Sequence, residues 1–112
     1  MRLGLAIALL LVVANAGVCA AVNDQLVVEI KKLGKAVDDM SANISTATTD
    51  ADAQMLANVT RQALDNGLKQ DRPKITITAS ASYCKVLIET PKWRLWSEAQ
   101  TGKIIDHGAT IR

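Results

Sequence analysis

A single imidazole, two thiols and a few acidic pairs are the side chains in these 112 residues that could do chemistry, and their spacing limits what they can do. Nucleophilic catalysis of the Ser-His-acid or Cys-His kind needs an imidazole to take the nucleophile's proton. His107 is the one candidate; it stands between Asp106 and Gly108 in what reads as a turn, and no Gly-x-Ser-x-Gly elbow occurs in the chain. Zinc sites draw three or four ligands from Cys, His and carboxylates, more than one His with Cys19 and Cys84 can offer. Asp50 and Asp52 lack the alternating oxygens and closing Glu of a calcium loop, and a place at a helix start already accounts for them. Glu89 and Glu98 could meet across a sheet, the minimum for glycoside hydrolysis, but short strands offer little cleft. Nothing here calls for a cofactor or a metal, and the expectation is a non-enzymatic protein.

Recognition is the chemistry that remains. Lys92, Arg94 and Trp96 fall within five residues, and strand alternation puts Trp93 with Leu95 on one face and Arg94 with Trp96 on the other. The expected arrangement is Trp93 in a core and Trp96 exposed beside Arg94 and Lys92, as a partner-binding group. Residues 74–112 carry six basic and three acidic groups, against six and eight in residues 23–73. A surplus of that size, scattered along the strands, makes nucleic acid a weak candidate beside a protein partner.

The N-terminus supplies an address. Met1 and Arg2 precede an uncharged run from Leu3 to Val22, with small residues around Ala14 to Ala20. A basic start, an apolar stretch and small residues at its end match a secretory signal peptide over residues 1–20, cleaved after Ala16 or Ala20. The alternative is a membrane anchor, because residues 3–22 are just long enough to cross a bilayer and would then make the membrane contact. Either way the chain is expected outside the cytoplasm, secreted or periplasmic, or held at the membrane. If cleavage falls after Ala20, Cys84 is the only thiol left, either buried or available for a disulfide between chains; cleavage after Ala16 would leave Cys19 as its partner.

These groups must be positioned by two dissimilar halves that meet near Arg72-Pro73. In the first, Leu26, Ile30, Leu33, Val37, Met40 and Ile44 are spaced 4, 3, 4, 3 and 4, the alternation of a heptad seam. Asn23 or Asp24 is the expected N-cap, and the seam is expected to pair with a partner helix or a second copy. A second helix is predicted from Thr49 or Asp50, where Thr49 and Asp52 make a capping-box-like start, to a stop at Asn66-Gly67 with Leu68 packing back. The two helices could form a hairpin across residues 45–49 or join as one long helix.

In the second half the period changes to two. Lys74 to Tyr83 alternates, parity flips so that Cys84, Val86 and Ile88 point together, and a turn or bulge near Ser82 is the simplest cause. Pro91 ends that strand. Trp93–Glu98 and Lys103–His107 follow as a hairpin closed by Gly102, with a further turn at His107-Gly108. The stretch from Arg94 to Ile105 is similar to a hairpin from a WD-repeat β-propeller blade; it occurs once, and the resemblance implies a hairpin without a function. The export-like start followed by Asp24-Gln25-Leu26 and the seam to Ile44 resembles small outer-membrane lipoproteins of bacteria. The chain departs from them at the acylation motif, where Val18 precedes Cys19, and in its β-rich tail.

The expected fold is α+β: an N-terminal export or anchor helix, one or two amphipathic helices over residues 23–72, then a small antiparallel sheet of about four short strands over residues 73–112. The expected function is that of an exported interaction or structural protein of the cell envelope or extracellular space, bacterial or phage-encoded, using the seam for association and the basic β tail for binding. A compact secreted monomer acting as an inhibitor or binding domain is the alternative, with the helices packed on the sheet.

Overall fold

The seam does become a helix, but what it packs against is the chain's own sheet. A computed structural model describes residues 19–112, with side chains from Asp24 onward. The expected export segment over residues 1–20 therefore lies outside the described residues except for its last two positions. Helix α1 spans Cys19–Ile44 and helix α2 spans Asp50–Gly67. A single 3₁₀ turn, Lys69–Asp71, leads into strands β1 (Lys74–Ser80), β2 (Tyr83–Glu89), β3 (Trp93–Gln100) and β4 (Lys103–Ile111). The strands form one antiparallel meander in the order β1-β2-β3-β4, so the fold is a small α+β unit. No described helix is long and apolar enough to cross a membrane.

Helix α1 is already running before the Asn23 or Asp24 expected as its cap, because Ala20 and Ala21 favour helix and nothing there breaks it. Ile30, Leu33, Val37 and Ile44 are buried, with Leu26 and Met40 packed beside them, in a core shared with Ile77, Val86, Ile88, Trp93 and Leu95 of the sheet. The expected helix-to-helix seam is thus corrected to a helix-to-sheet contact. A stripe with this spacing fits either surface, and the sheet of the same chain is at far higher effective concentration than any partner. Burying each such side chain contributes roughly 1.5–3 kcal/mol. Gly34, unfavourable in a helix, lies where α1 crosses β3; a Cβ there would sit 3.6 Å from Leu95 Cδ1, so the helix can settle closely on the strand.

The second helix starts and stops as expected. Thr49 is the N-cap and its hydroxyl accepts from the Asp52 N–H at 3.2 Å. At the other end the Leu68 N–H donates to the Leu64 carbonyl at 2.9 Å and the Leu68 side chain turns back into the core. Neither the hairpin nor the continuous helix forms. Helix α1 lies over β3, β4 and β2, helix α2 lies against β1, and the two helices barely meet.

Lys74 to Tyr83, which alternates as if it were one strand, is split by a turn at Ala81-Ser82, where Ser82 takes φ 62°. That turn is the origin of the parity flip at Cys84. Thr101 and Gly102, both at positive φ (51° and 80°), close the β3–β4 hairpin in the manner of a type I′ turn. Against expectation, β4 does not turn at His107-Gly108 but continues to Ile111. Gly108 is there because Trp96, its cross-strand partner, lays its indole over it; a Cβ would come within 2.9 Å of three ring atoms. A bulge opposite Glu98 and Ala99 leaves Ile105 as the extra residue of β4.

Candidate functional site

Because both helices cover one face of the sheet, strand parity sorts every side chain into core or surface. Cys84, Val86 and Ile88 of β2 and Trp93, Leu95, Ser97 and Ala99 of β3 point toward the helices and are buried. Tyr83, Lys85 and Leu87 of β2 and Arg94, Trp96 and Glu98 of β3 point the other way, with no layer of the described chain over them. On this open face the cross-strand register puts Leu87 beside Trp96 and Lys85 beside Glu98. The Arg94 guanidinium stacks 5.5 Å from the Trp96 ring centroid. Lys85, Leu87, Arg94, Trp96 and Asp106 line a depression of about 220 Å³. The Tyr83 hydroxyl donates to Glu98 Oε2. That bond favours the neutral phenol and, helped by partial burial and the carboxylate charge, pushes the Tyr83 pKa up to about 12.

Of the expected binding group, Arg94 and Trp96 are brought together here. Lys92 is not. It sits in the β2–β3 turn, which Thr90 organises by accepting the Lys92 and Trp93 N–H groups on its hydroxyl. There the Lys92 charge acts on Asp71: burial raises the Asp71 pKa, and Lys92 partly offsets the rise. Leu87 was missed in the sequence, and Lys85 stood there only among the scattered basic residues of the strands. Their signal was their parity on β2, which becomes informative only once β3 is known to lie beside it.

A second concave region lies on the helix side, between α1 and β4. This groove of about 330 Å³ has Ile30, Gly34, Leu95 and Ala109 as its apolar part, with Lys31 and Lys35 on its helix wall. At its end His107 Nδ1 is 2.7 Å from Asp38 Oδ2, so the histidine read as a solvated turn residue is a strand residue paired with a helix carboxylate. Such a pair could act as a general base, but among the described residues no hydroxyl or thiol is hydrogen-bonded to the imidazole. The nearby hydroxyls are engaged elsewhere. Ser41 Oγ donates to the Asp38 carbonyl at 3.1 Å and so accepts from Ser97 Oγ at 2.6 Å, both side chains being fully buried.

Cys84 is a free thiol with no exposed surface, the second residue of β2. Desolvation pushes its pKa up to about 11, which keeps it protonated and unreactive. A disulfide there would require the core to open, so of the two readings open for Cys84, burial and a disulfide, its place in the structure matches burial. Groups of three or more metal-ligating side chains do not occur among the described residues. Comparison with protein-family models, with curated proteins and with solved structures finds no match to this chain.

Proposed function

We propose that this chain is an exported, non-enzymatic binding protein of the cell envelope or extracellular space, working as a compact monomer whose open sheet face meets a protein partner. The reading rests on one observation: Trp96, Leu87, Arg94 and Lys85 are grouped on the face the helices leave bare, while the apolar seam of α1 is occupied within the chain. A half-buried Trp stacked with an Arg and set beside an aliphatic side chain is the composition of an interface centre, rimmed here by Glu98, Asp106 and Lys85. Association through the seam, the first of the two expected readings, would require α1 to leave the sheet and expose Ile30, Leu33, Val37 and Ile44.

The test starts with expression in a secreting host with a C-terminal tag. A released product lacking residues 1–16 or 1–20, with the native mass of one chain, is the expected result. Retention of the full-length chain in the membrane would refute export as a soluble protein, and a stable oligomer would refute the monomer. A photo-crosslinking amino acid at Trp96 is then expected to trap a partner in the envelope of the source cell, whereas the same group at the exposed Met55 of α2 is not. Equal trapping at both positions would remove the open face from consideration.

A further inference from the structure

The two edges of the sheet are treated differently. At the β1 edge α2 supplies a cover: Gln54 Nε2 donates to the Ala79 carbonyl at 2.5 Å, Arg61 to the Ile77 carbonyl at 3.5 Å, and Asp50 Oδ1 accepts from the Ala81 N–H at 2.7 Å. These bonds take up outward-pointing groups that would otherwise template another strand. At the β4 edge the Arg112 N–H donates inward to the Lys92 carbonyl at 2.8 Å. Alternation in an antiparallel ladder then turns Gly108 and Thr110 inward as well, and aims the N–H and C=O of His107, Ala109 and Ile111 outward. Among the described residues no hydrogen bond reaches those outward groups, and the three side chains are exposed.

Two of these residues, His107 and Ala109, also border the groove under α1. A strand added about 4.8 Å beyond β4 would place alternate side chains beside His107 and Ala109, opposite the helix wall that carries Lys31 and Lys35. Asp38, the acidic residue of that wall, is held by His107 at 2.7 Å, and neither lysine forms an ion pair among the described residues. The edge therefore selects an extended backbone, and the wall beside it selects negative side chains.

We propose that the β4 edge and the α1–β4 groove together dock an extended acidic segment of a partner protein, taken up as a fifth strand with its acidic side chains toward Lys31 and Lys35. This is strand addition of the kind in which main-chain bonds hold the peptide and a flanking groove reads alternate side chains. A second copy of this chain fits less well. Its own β4 would offer His107, Ala109 and Ile111 to the groove, none of them acidic, and two α1 helices would turn their lysines toward each other across the joined edges. The groove shares Trp96 with the open sheet face, but the groups that would recognise the segment, the β4 edge amides with Lys31 and Lys35, lie outside that face, so the two proposals are tested separately.

The probes are a short capped peptide alternating Val and Glu and its counterpart alternating Val and Lys. Both are titrated into the isotope-labelled protein in whichever form, full-length or processed, it leaves the host. The Glu peptide is expected to shift the amide signals of His107, Ala109 and Ile111 and of α1 around Lys31 and Lys35. The double variant K31E/K35E should weaken it by about ten-fold or more and favour the Lys peptide instead. Ala109→Pro removes an N–H that makes no bond within the sheet, so it should abolish binding while circular dichroism stays unchanged. Shifts confined to Lys85, Leu87 and Trp96, binding that survives Ala109→Pro, or no response to either peptide would each overturn the proposal. So would edge amides already protected from exchange before peptide is added, which would mean that a second copy or another part of the chain holds the edge.

Discussion

Replacing Gly108 by Ala puts a methyl group 2.8 Å from Trp96 Cη2 and 2.9 Å from Cε2, with Cζ2 nearer still. Backbone on one side and a planar ring on the other leave the methyl no room, so the indole must lift off the strand by roughly the ångström that separates these distances from ordinary contact near 3.5–4.0 Å. Overpacking of this kind costs about 1–3 kcal/mol. Loss of the Arg94 stack adds about 0.5–1 kcal/mol, and replacing glycine within a strand returns about 0.5–1 kcal/mol. The last two terms cancel, so the expected net effect is a destabilisation of about 1–3 kcal/mol. In a Trp96→Ala background the clash vanishes and only the gain from removing glycine remains, so Gly108→Ala should there be neutral or stabilising. Urea unfolding of the four proteins of this cycle, followed by far-ultraviolet circular dichroism, measures the coupling directly. It should be about 1.5–4 kcal/mol, the overpacking and stacking terms together, since the glycine term is common to both backgrounds. If Gly108→Ala costs the same whether or not Trp96 is present, the indole does not lie on Gly108, and the account of the open face built on that placement is wrong.

Two other predictions use residues that occur once in the relevant form. Tyr83 is the sole tyrosine, so absorbance titration reads its phenol alone; ionisation is expected near 12, and Glu98→Gln should bring it back toward 10. The folded pKa lies above the unfolded one, so the associated stability is intact below about pH 10 and is lost as pH rises toward 12. A Tyr83 midpoint near 10 in the folded protein would refute the hydrogen bond to Glu98. Cys84, buried with its pKa near 11, should react with a thiol reagent at a rate set by unfolding, rising with urea in step with the unfolded fraction. Fast labelling of Cys84 at neutral pH without denaturant, read in a Cys19→Ser variant so that the other thiol does not contribute, would show that the core around β2 opens locally.

Much of the fold was legible because local rules and global packing agree. The 4-3-4-3-4 spacing from Leu26 to Ile44 marks a helix wherever its apolar side is buried, and Thr49, Gly67 and Leu68 bracket the second helix through short-range bonds alone. The change to period two after Pro73, the flip at Cys84 and the glycine at 102 determine four strands and two tight turns. The site was less legible, since it depends on neighbours distant in the chain. Arg94 and Trp96 could be assigned a common face from alternation, but Lys85 and Leu87 join them only through the β2–β3 register, and Lys92 leaves them because the turn at Thr90 directs it toward Asp71. His107 was misread as a turn residue because His-Gly usually marks one. The glycine is needed instead for the ring of Trp96, twelve residues earlier.

By itself, then, the sequence determined which segments are helix or strand, most of their ends, and which side of each is apolar, because those properties rest on dihedral preferences, capping bonds and the periods 3.6 and 2; the start of α1 before Asn23 and the run of β4 to Ile111 were not among them. It also determined that His107 is the one imidazole the chain can offer. What covers each apolar side was decided only by the tertiary structure. The same stripe of α1 could have met another helix, and it met β3 instead because the meander presents a contiguous apolar face within the same chain. That choice buried Cys84, paired His107 with Asp38 across 69 positions, covered the β1 edge with α2, and left two surfaces without a layer of the described chain over them: the face around Trp96 and the edge beside Lys31 and Lys35.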